Sequence, residues 1–126
     1  PVCEGEGVGV IPWSPLSGGF LTGKYERDAD VPEGSRGEVS DHVTRRFTDE
    51  NWQVLEAIRA VADAHDATPA QVSLAWLLEQ DAVTAPIIGP KRSEQLQENL
   101  GALDLELTPE ELERIAAPKT PRWPAE

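Results

Sequence analysis

The sequence is 126 residues long and 39% apolar, with 23 Asp plus Glu against 11 Lys plus Arg, a net charge of −12. That length suits one domain and excludes a complete (β/α)8 barrel, which needs about 250 residues. The acidic balance argues against nucleic acid or an anionic membrane as partner, because Lys and Arg drive phosphate binding.

No apolar run approaches the ~18 residues of a membrane span, and the opening residues show no basic-then-apolar leader pattern. The single cysteine, Cys3, cannot form a disulfide within this sequence and fits a reducing compartment, the cytoplasm. Lysines are confined to Lys24, Lys91 and Lys119. An acidic, lysine-poor surface suits solubility in high salt, so a salt-loving source stands beside an ordinary acidic surface as an expectation.

In chain order, Gly7-Val8-Gly9-Val10-Ile11-Pro12-Trp13 comes first. Its β-branched run, flanked by Gly and Pro, predicts a short buried strand. Ser14 to Tyr25 is rich in turn residues and holds Gly18, Gly19 and Gly23. Residues 26–48 are polar and poorly periodic, with Pro32, Gly34 and Gly37. A loop of that length is either a functional lid or a disordered connection.

Asn51 to Asp66 predicts a helix, with Leu55, Ile58 and Ala62 at helical spacing and Thr48 or Asp49 as its cap. Thr68-Pro69-Ala70-Gln71 is a capping box with proline at the first helical position, and the helix it opens runs to about Gln80. Val83 to Gly89 predicts a second short strand, in which Pro86 belongs at an end or irregularity. Ser93 is the expected cap of a third helix, Glu94 to about Leu100. Thr108-Pro109-Glu110-Glu111 opens a fourth, ending near Ala117, and residues 118–126 read as an irregular tail.

The order strand, loop, two helices, strand, two helices predicts an α/β fold with parallel strands. Two short parallel strands with open edges do not make a stable sheet. The chain is therefore expected to pair with something or to belong to a larger protein.

Ligands in parallel α/β folds bind beyond the carboxyl ends of the strands. After the first strand come Ser14-Pro15-Leu16-Ser17-Gly18-Gly19, with hydroxyls and open backbone amides. After the second come Gly89-Pro90-Lys91-Arg92-Ser93-Glu94, with two adjacent cations before a helix N-terminus. Amides and the helix dipole make that end an anion site, and the cations add to it. The alternative is that Lys91 and Arg92 are solvated surface charges.

Three stretches resemble the aldo/keto reductase family. Gly7 to Leu16, continued by Gly19 and Gly23-Lys24-Tyr25, looks like that family's seventh strand and following loop. Thr68-Pro69-Ala70-Gln71-Val72-Ser73-Leu74-Ala75-Trp76 looks like its seventh-helix region. Pro86 to Asn99 looks like its eighth strand and adenosine-phosphate loop. The stretches come in order across nearly the whole sequence.

The resemblance implies the C-terminal portion of a (β/α)8 barrel that binds NADP(H) and reduces aldehydes or ketones by hydride transfer. Ser14, Pro15, Leu16, Ser17 and Gly18 would line the pyrophosphate and ribose path, and Lys24 would reach the pyrophosphate. Gly89 and Lys91 would hold the adenosine side, with Arg92 a further candidate for the 2′-phosphate. Gln95, Glu98 and Asn99 would face the adenosine; Gln95 and Asn99, at i and i+4, share a face. Cations for a 2′-phosphate imply NADP over NAD.

The family's catalytic Asp, Tyr, Lys and His precede its seventh strand, and this sequence begins just before that strand. Tyr25, His42 and His65 do not match those positions. Tyr25 reads as a loop anchor, His65 as a helix C-terminal residue, His42 as an exposed loop residue and Cys3 as an inert thiol. Trp13 reads equally as cofactor-stacking or as core, and Trp52 and Trp76 as packing. The chain alone is therefore expected to be inactive and to need upstream barrel units. Two alternatives stand beside it: a non-enzymatic nucleotide-binding regulatory module, like the channel subunits related to these reductases, and a truncated product that does not fold alone.

Overall fold

The computed structural model describes residues 2–119. Of the expected tail, only Pro118 and Lys119 fall within that range, and residues 120–126 lie outside the described residues. The elements are α1 (Val2–Gly5), a 3-10 segment (Ser17–Thr22), α2 (Arg36–Val39), α3 (Asp41–Thr44), α4 (Asp49–Ala64), α5 (Pro69–Leu78), α6 (Ser93–Leu100), a 3-10 turn (Gly101–Asp104) and α7 (Pro109–Ala116). Among the described residues no helix is long and apolar enough to cross a membrane.

The helix starts follow local chemistry. At α5 the Thr68 hydroxyl accepts from the Gln71 N–H at 3.2 Å, and Gln71 Oε1 accepts from the Thr68 N–H at 3.0 Å. Thr108 and Glu111 repeat the exchange at 3.3 and 2.9 Å. Each pair satisfies two N–H groups that helix geometry leaves without an internal partner. Thr48 caps α4 by accepting from the Asn51 N–H at 3.2 Å.

Two apolar clusters follow. The larger joins Ile58, Val61 and Ala62 of α4 to Val72, Leu74 and Ala75 of α5, with Ile115 of α7. Fully burying an aliphatic side chain of this kind contributes about 1.5–3 kcal/mol. The smaller holds Phe20, Tyr25, Val43, Trp52 and Leu55. Phe20 meets Trp52 edge-on at 5.0 Å, and Phe47 stacks at a tilt on Tyr25, Phe20 and Trp52. Trp76 packs against the larger cluster and donates its indole N–H to the Leu112 carbonyl at 3.1 Å.

Four expectations need correction. The two predicted strands are absent as strands among the described residues: residues 8–13 and 83–88 meet through two isolated parallel bridges, Val10 with Val83 and Trp13 with Ile87. Pro12 and Pro86 cannot donate to a ladder, and no third strand extends the pairing here. The first segment is not buried either. Val8, Ile11 and Trp13 are 55%, 59% and 83% exposed, which removes the core reading of Trp13 in this structure.

Arg92, not Ser93, is the N-cap of α6, and it makes no side-chain cap bond; Ser93 is already helical and its hydroxyl turns to Glu94. Residues 26–48, finally, are not a featureless connection. They form α2 and α3 and bury Ser35, Gly37 and Val43, so His42, though exposed, sits on a helix. Periodicity misses these elements because each is a single turn pinned by tertiary contacts.

Candidate functional site

The Trp13–Ile87 bridge, with the Ile87 N–H donating to the Pro12 carbonyl at 2.9 Å, sets both candidate loops at one edge of the fold. Four residues of the first loop, Ser14, Ser17, Gly18 and Gly19, have positive φ, at 55°, 54°, 69° and 97°. Glycine takes that conformation without strain, while the two serines bear its steric cost. The chain coils tightly, with the Gly19 and Leu21 N–H groups both donating to the Leu16 carbonyl.

Two cations close on this coil. A Cβ built on Gly19 would stand 2.9 Å from Lys24 Nζ, so the ammonium folds back over the diglycine turn. A Cβ on Gly18 would stand 3.8 Å from Arg36 Cδ, so the Arg36 side chain passes close to the same turn. The glycines thus leave a backbone cradle that side chains would fill, with positive charge at its rim. That arrangement fits an anion such as a pyrophosphate.

Behind the cradle Tyr25 is 1% exposed, and its hydroxyl accepts from the Gly37 N–H at 3.0 Å. It is an anchor for the loop, as expected. On the same side Arg59 of α4 donates to the carbonyls of Gly23 and Tyr25.

At the second loop Gly89 faces open space, and Lys91 and Arg92 are exposed. Gln95 Oε1 accepts from the Lys91 N–H at 2.8 Å, which ties the loop to the first turn of α6. That leaves the Gln95 amide NH2 for another partner. The Glu98 carbonyl accepts from Gln71 Nε2 at 2.8 Å, fixing α6 to α5, while the Glu98 side chain is exposed and Asn99 is half-buried one turn beyond Gln95. Pro15 and Leu16 serve packing as well: Leu16 lies against the main core, and Pro15 lines a 360 Å³ cavity with Leu21, Ile58, Trp76 and Ile115. That cavity is lined mostly by apolar side chains, with Ser73 and Lys119 as its polar members.

The sequence did not lead to Arg36 or Arg59. No spacing rule links Gly18 to Arg36; the link runs through Val43, Tyr25 and Gly37 in space. Away from the site, His65 ends α4 as expected, and its Nε2 meets both Glu111 carboxylate oxygens at 2.9 and 3.0 Å. The Thr108 N–H bond and then His65 hold the Glu111 carboxyl below its ordinary value.

With this geometry in hand, comparisons with known proteins are decisive on one point. The model of the aldo/keto reductase family matches residues 1–118. The chain belongs to the aldo/keto reductase family. A probable aldo-keto reductase from Glycine max is 36% identical over 115 residues, 91% of this chain and 33% of its own length. An NADP(+) aldo-keto reductase, yakc, from Schizosaccharomyces pombe is 37% identical over 106 residues, 84% of this chain and 31% of its own. A probable voltage-gated potassium channel subunit beta from Arabidopsis thaliana is 34% identical over 120 residues, 91% of this chain and 36% of its own. In structure, a thermostable aldo-keto reductase bound to the inhibitor epalrestat matches with a TM-score of 0.62 and 25% identity, over 94% of this chain and 32% of the other. The chain thus spans about a third of the length of the relatives it matches.

Proposed function

We propose that this chain is the cofactor-gripping C-terminal part of an NADP(H)-dependent carbonyl reductase built as a (β/α)8 barrel. The observation that carries the reading is the convergence of Lys24 and Arg36 on the positive-φ turn at Gly18 and Gly19. The parallel bridge from Trp13 to Ile87 sets Gly89, Lys91 and Arg92 at the same edge.

When bound, NADPH supplies the hydride for reduction of an aldehyde or ketone. Lys24 and Arg36 would offset the pyrophosphate charge, with the 14–18 loop amides other than Ser17's, whose N–H is given to the Ser14 carbonyl. Lys91 and Arg92 would hold the 2′-phosphate, aided by the α6 N-terminus, which no side chain caps. Gln95, through its free NH2, Glu98 and Asn99 face the adenosine. Exposed Trp13 stands at its bridge to Ile87, where it can stack on the cofactor.

Tyr25, the tyrosine of this chain, is not placed to serve as the proton donor. It is buried and its hydroxyl holds the Gly37 amide, so in this reading general acid catalysis would belong to another residue of the complete protein. The exposed apolar row Val8, Ile11 and Ile87 is the seam against which those upstream barrel units would pack.

The test is NADPH oxidation with a panel of aldehydes and ketones. Turnover is expected from the full-length protein carrying this chain and none from residues 1–126 alone. Turnover by the isolated chain, or none by the longer protein, overturns the reading. A second reading, a nucleotide-sensing regulatory subunit, draws on the 34% identity to the Arabidopsis channel beta subunit. NADPH binding without turnover by the full-length protein would favour it.

A further inference from the structure

We propose that Arg59, one helix away from the cofactor edge, is the positioning residue that holds Lys24 over the Gly18–Gly19 turn and so sets how tightly a dinucleotide pyrophosphate is bound. The proposal rests on the cofactor reading above.

The geometry is specific to one residue of the loop. Arg59 Nη2 donates to the Gly23 carbonyl at 2.8 Å and to the Tyr25 carbonyl at 3.0 Å, the two carbonyls that flank Lys24. The same nitrogen reaches Glu26 Oε1 at 2.8 Å, and Nη1 reaches Glu26 Oε2 at 3.2 Å. The two-point contact with Glu26 fixes the plane of the guanidinium, and the plane fixes where the shared nitrogen points.

Lys24 therefore has its backbone clamped on both sides while its side chain is free to fold back. Gly23 turns the chain at φ 80°, which brings Lys24 round toward the coil it has just left. The Lys24 ammonium then stands beside Gly19 and 5.4 Å from the Tyr25 ring centre. Tyr25 itself is fixed by burial and by Gly37. A flexible lysine otherwise spreads its charge over many rotamers, and ordering it at the moment of binding costs affinity. Arg59 removes the backbone share of that ordering in advance, from a helix that carries none of the expected cofactor contacts. A lysine at 59 keeps the charge but cannot bridge two carbonyls and a carboxylate in one plane.

The test measures NADPH and adenosine 2′-phosphate affinities on the full-length protein carrying this chain. Adenosine 2′-phosphate lacks the pyrophosphate and reports the Lys91–Asn99 side alone. Arg59→Gln is expected to weaken NADPH about tenfold and to leave adenosine 2′-phosphate unchanged. Arg59→Lys should recover only part of the loss. In a Lys24→Ala background, Arg59→Gln should cost NADPH nothing further, because the residue it positions is gone.

If Lys24→Ala weakens NADPH but Arg59→Gln does not, the positioning role fails and the cofactor reading survives. Equal losses for both ligands, or losses that add to those of Lys24→Ala, make Arg59 merely structural and overturn the proposal. If NADPH does not bind the unaltered protein, or Lys24→Ala is silent, the cofactor reading falls and takes the proposal with it. Should Arg59→Gln not fold, Glu26→Gln, at a position 64% exposed, frees the guanidinium plane without touching the core. It should weaken NADPH alone, and no change would overturn the proposal.

Discussion

The Tyr25 hydroxyl makes one of the few buried contacts that hold residues 26–48. Tyr25→Phe removes it and leaves the ring, so packing in the aromatic cluster is kept. What is lost is the acceptor for the Gly37 N–H, at 3.0 Å in a place where both residues are buried. Leaving a buried donor without a partner costs about 1–3 kcal/mol, more than the bond itself contributes net. At about 2–8 °C per kcal/mol for domains of sizes either side of this one, melting should fall by several degrees.

Gly37→Ala attacks the same contact from the other side. Its new methyl would stand 2.9 Å from Tyr25 Cε1 and 3.0 Å from Val31 Cγ1, both in packed surroundings, and such overpacking costs about 1–3 kcal/mol. Because the two changes share one contact, the double variant should lose less than the sum. Thermal melting and amide exchange at Gly37 make the assay. Unchanged melting together with unchanged exchange at Gly37 in Tyr25→Phe would refute the idea that this loop is built on that anchor.

Other expectations follow from the same structure. Thr108→Ala removes the cap of α7 and should cost about 1 kcal/mol, read as a lower denaturation midpoint with an unchanged m-value. Glu111 is held below its ordinary value of 4.5 by the Thr108 N–H and then His65, so its contribution is present above that pH and is lost as pH falls through the lowered value. Glu111→Gln should therefore destabilise the protein at neutral pH, with the gap from the unaltered protein closing below pH 4.5; a gap independent of pH would contradict this. The net charge of −12 with few lysines predicts a melting temperature that rises steeply with KCl, and a flat response removes the salt-loving proposal.

The helices were legible because their signals are local. Thr68 with Gln71 and Thr108 with Glu111 name their own partners three residues away, and the structure shows both exchanges. The Leu55, Ile58 and Ala62 stripe likewise reports the buried face of α4. Residues 8–13 misled because a β-branched run signals burial only if a neighbour arrives to cover it. Among the described residues only the 83–88 segment pairs with it, through two isolated bridges, and Trp13 stays exposed.

At the site, the motif residues were readable one loop at a time. Lys24 was reached through the family resemblance, and the structure sets its ammonium beside Gly19. Arg36 and Arg59 could not be reached, because their roles depend on how Tyr25 is buried and how α4 crosses behind the loop. Such long-range placement has no periodic signature. The polar composition of 26–48 hid its order for the same reason: a few buried contacts, Val43 and the Tyr25–Gly37 bond among them, hold a segment that is otherwise solvated.

The central claim is that this chain grips NADP(H) between the Lys24–Gly18 coil and the Lys91–Arg92 helix start. The most direct measurement is the ratio of NADH to NADPH dissociation constants for the full-length protein carrying it, before and after Lys91→Ala with Arg92→Ala. Charge-assisted bonds to the 2′-phosphate contribute about 1.5–3 kcal/mol, so NADPH should bind roughly 10–100-fold tighter than NADH. The double substitution should erase that preference while NADH binding stays where it was. Equal affinity for the two cofactors in the unaltered protein, or a preference that survives loss of both cations, would contradict the account.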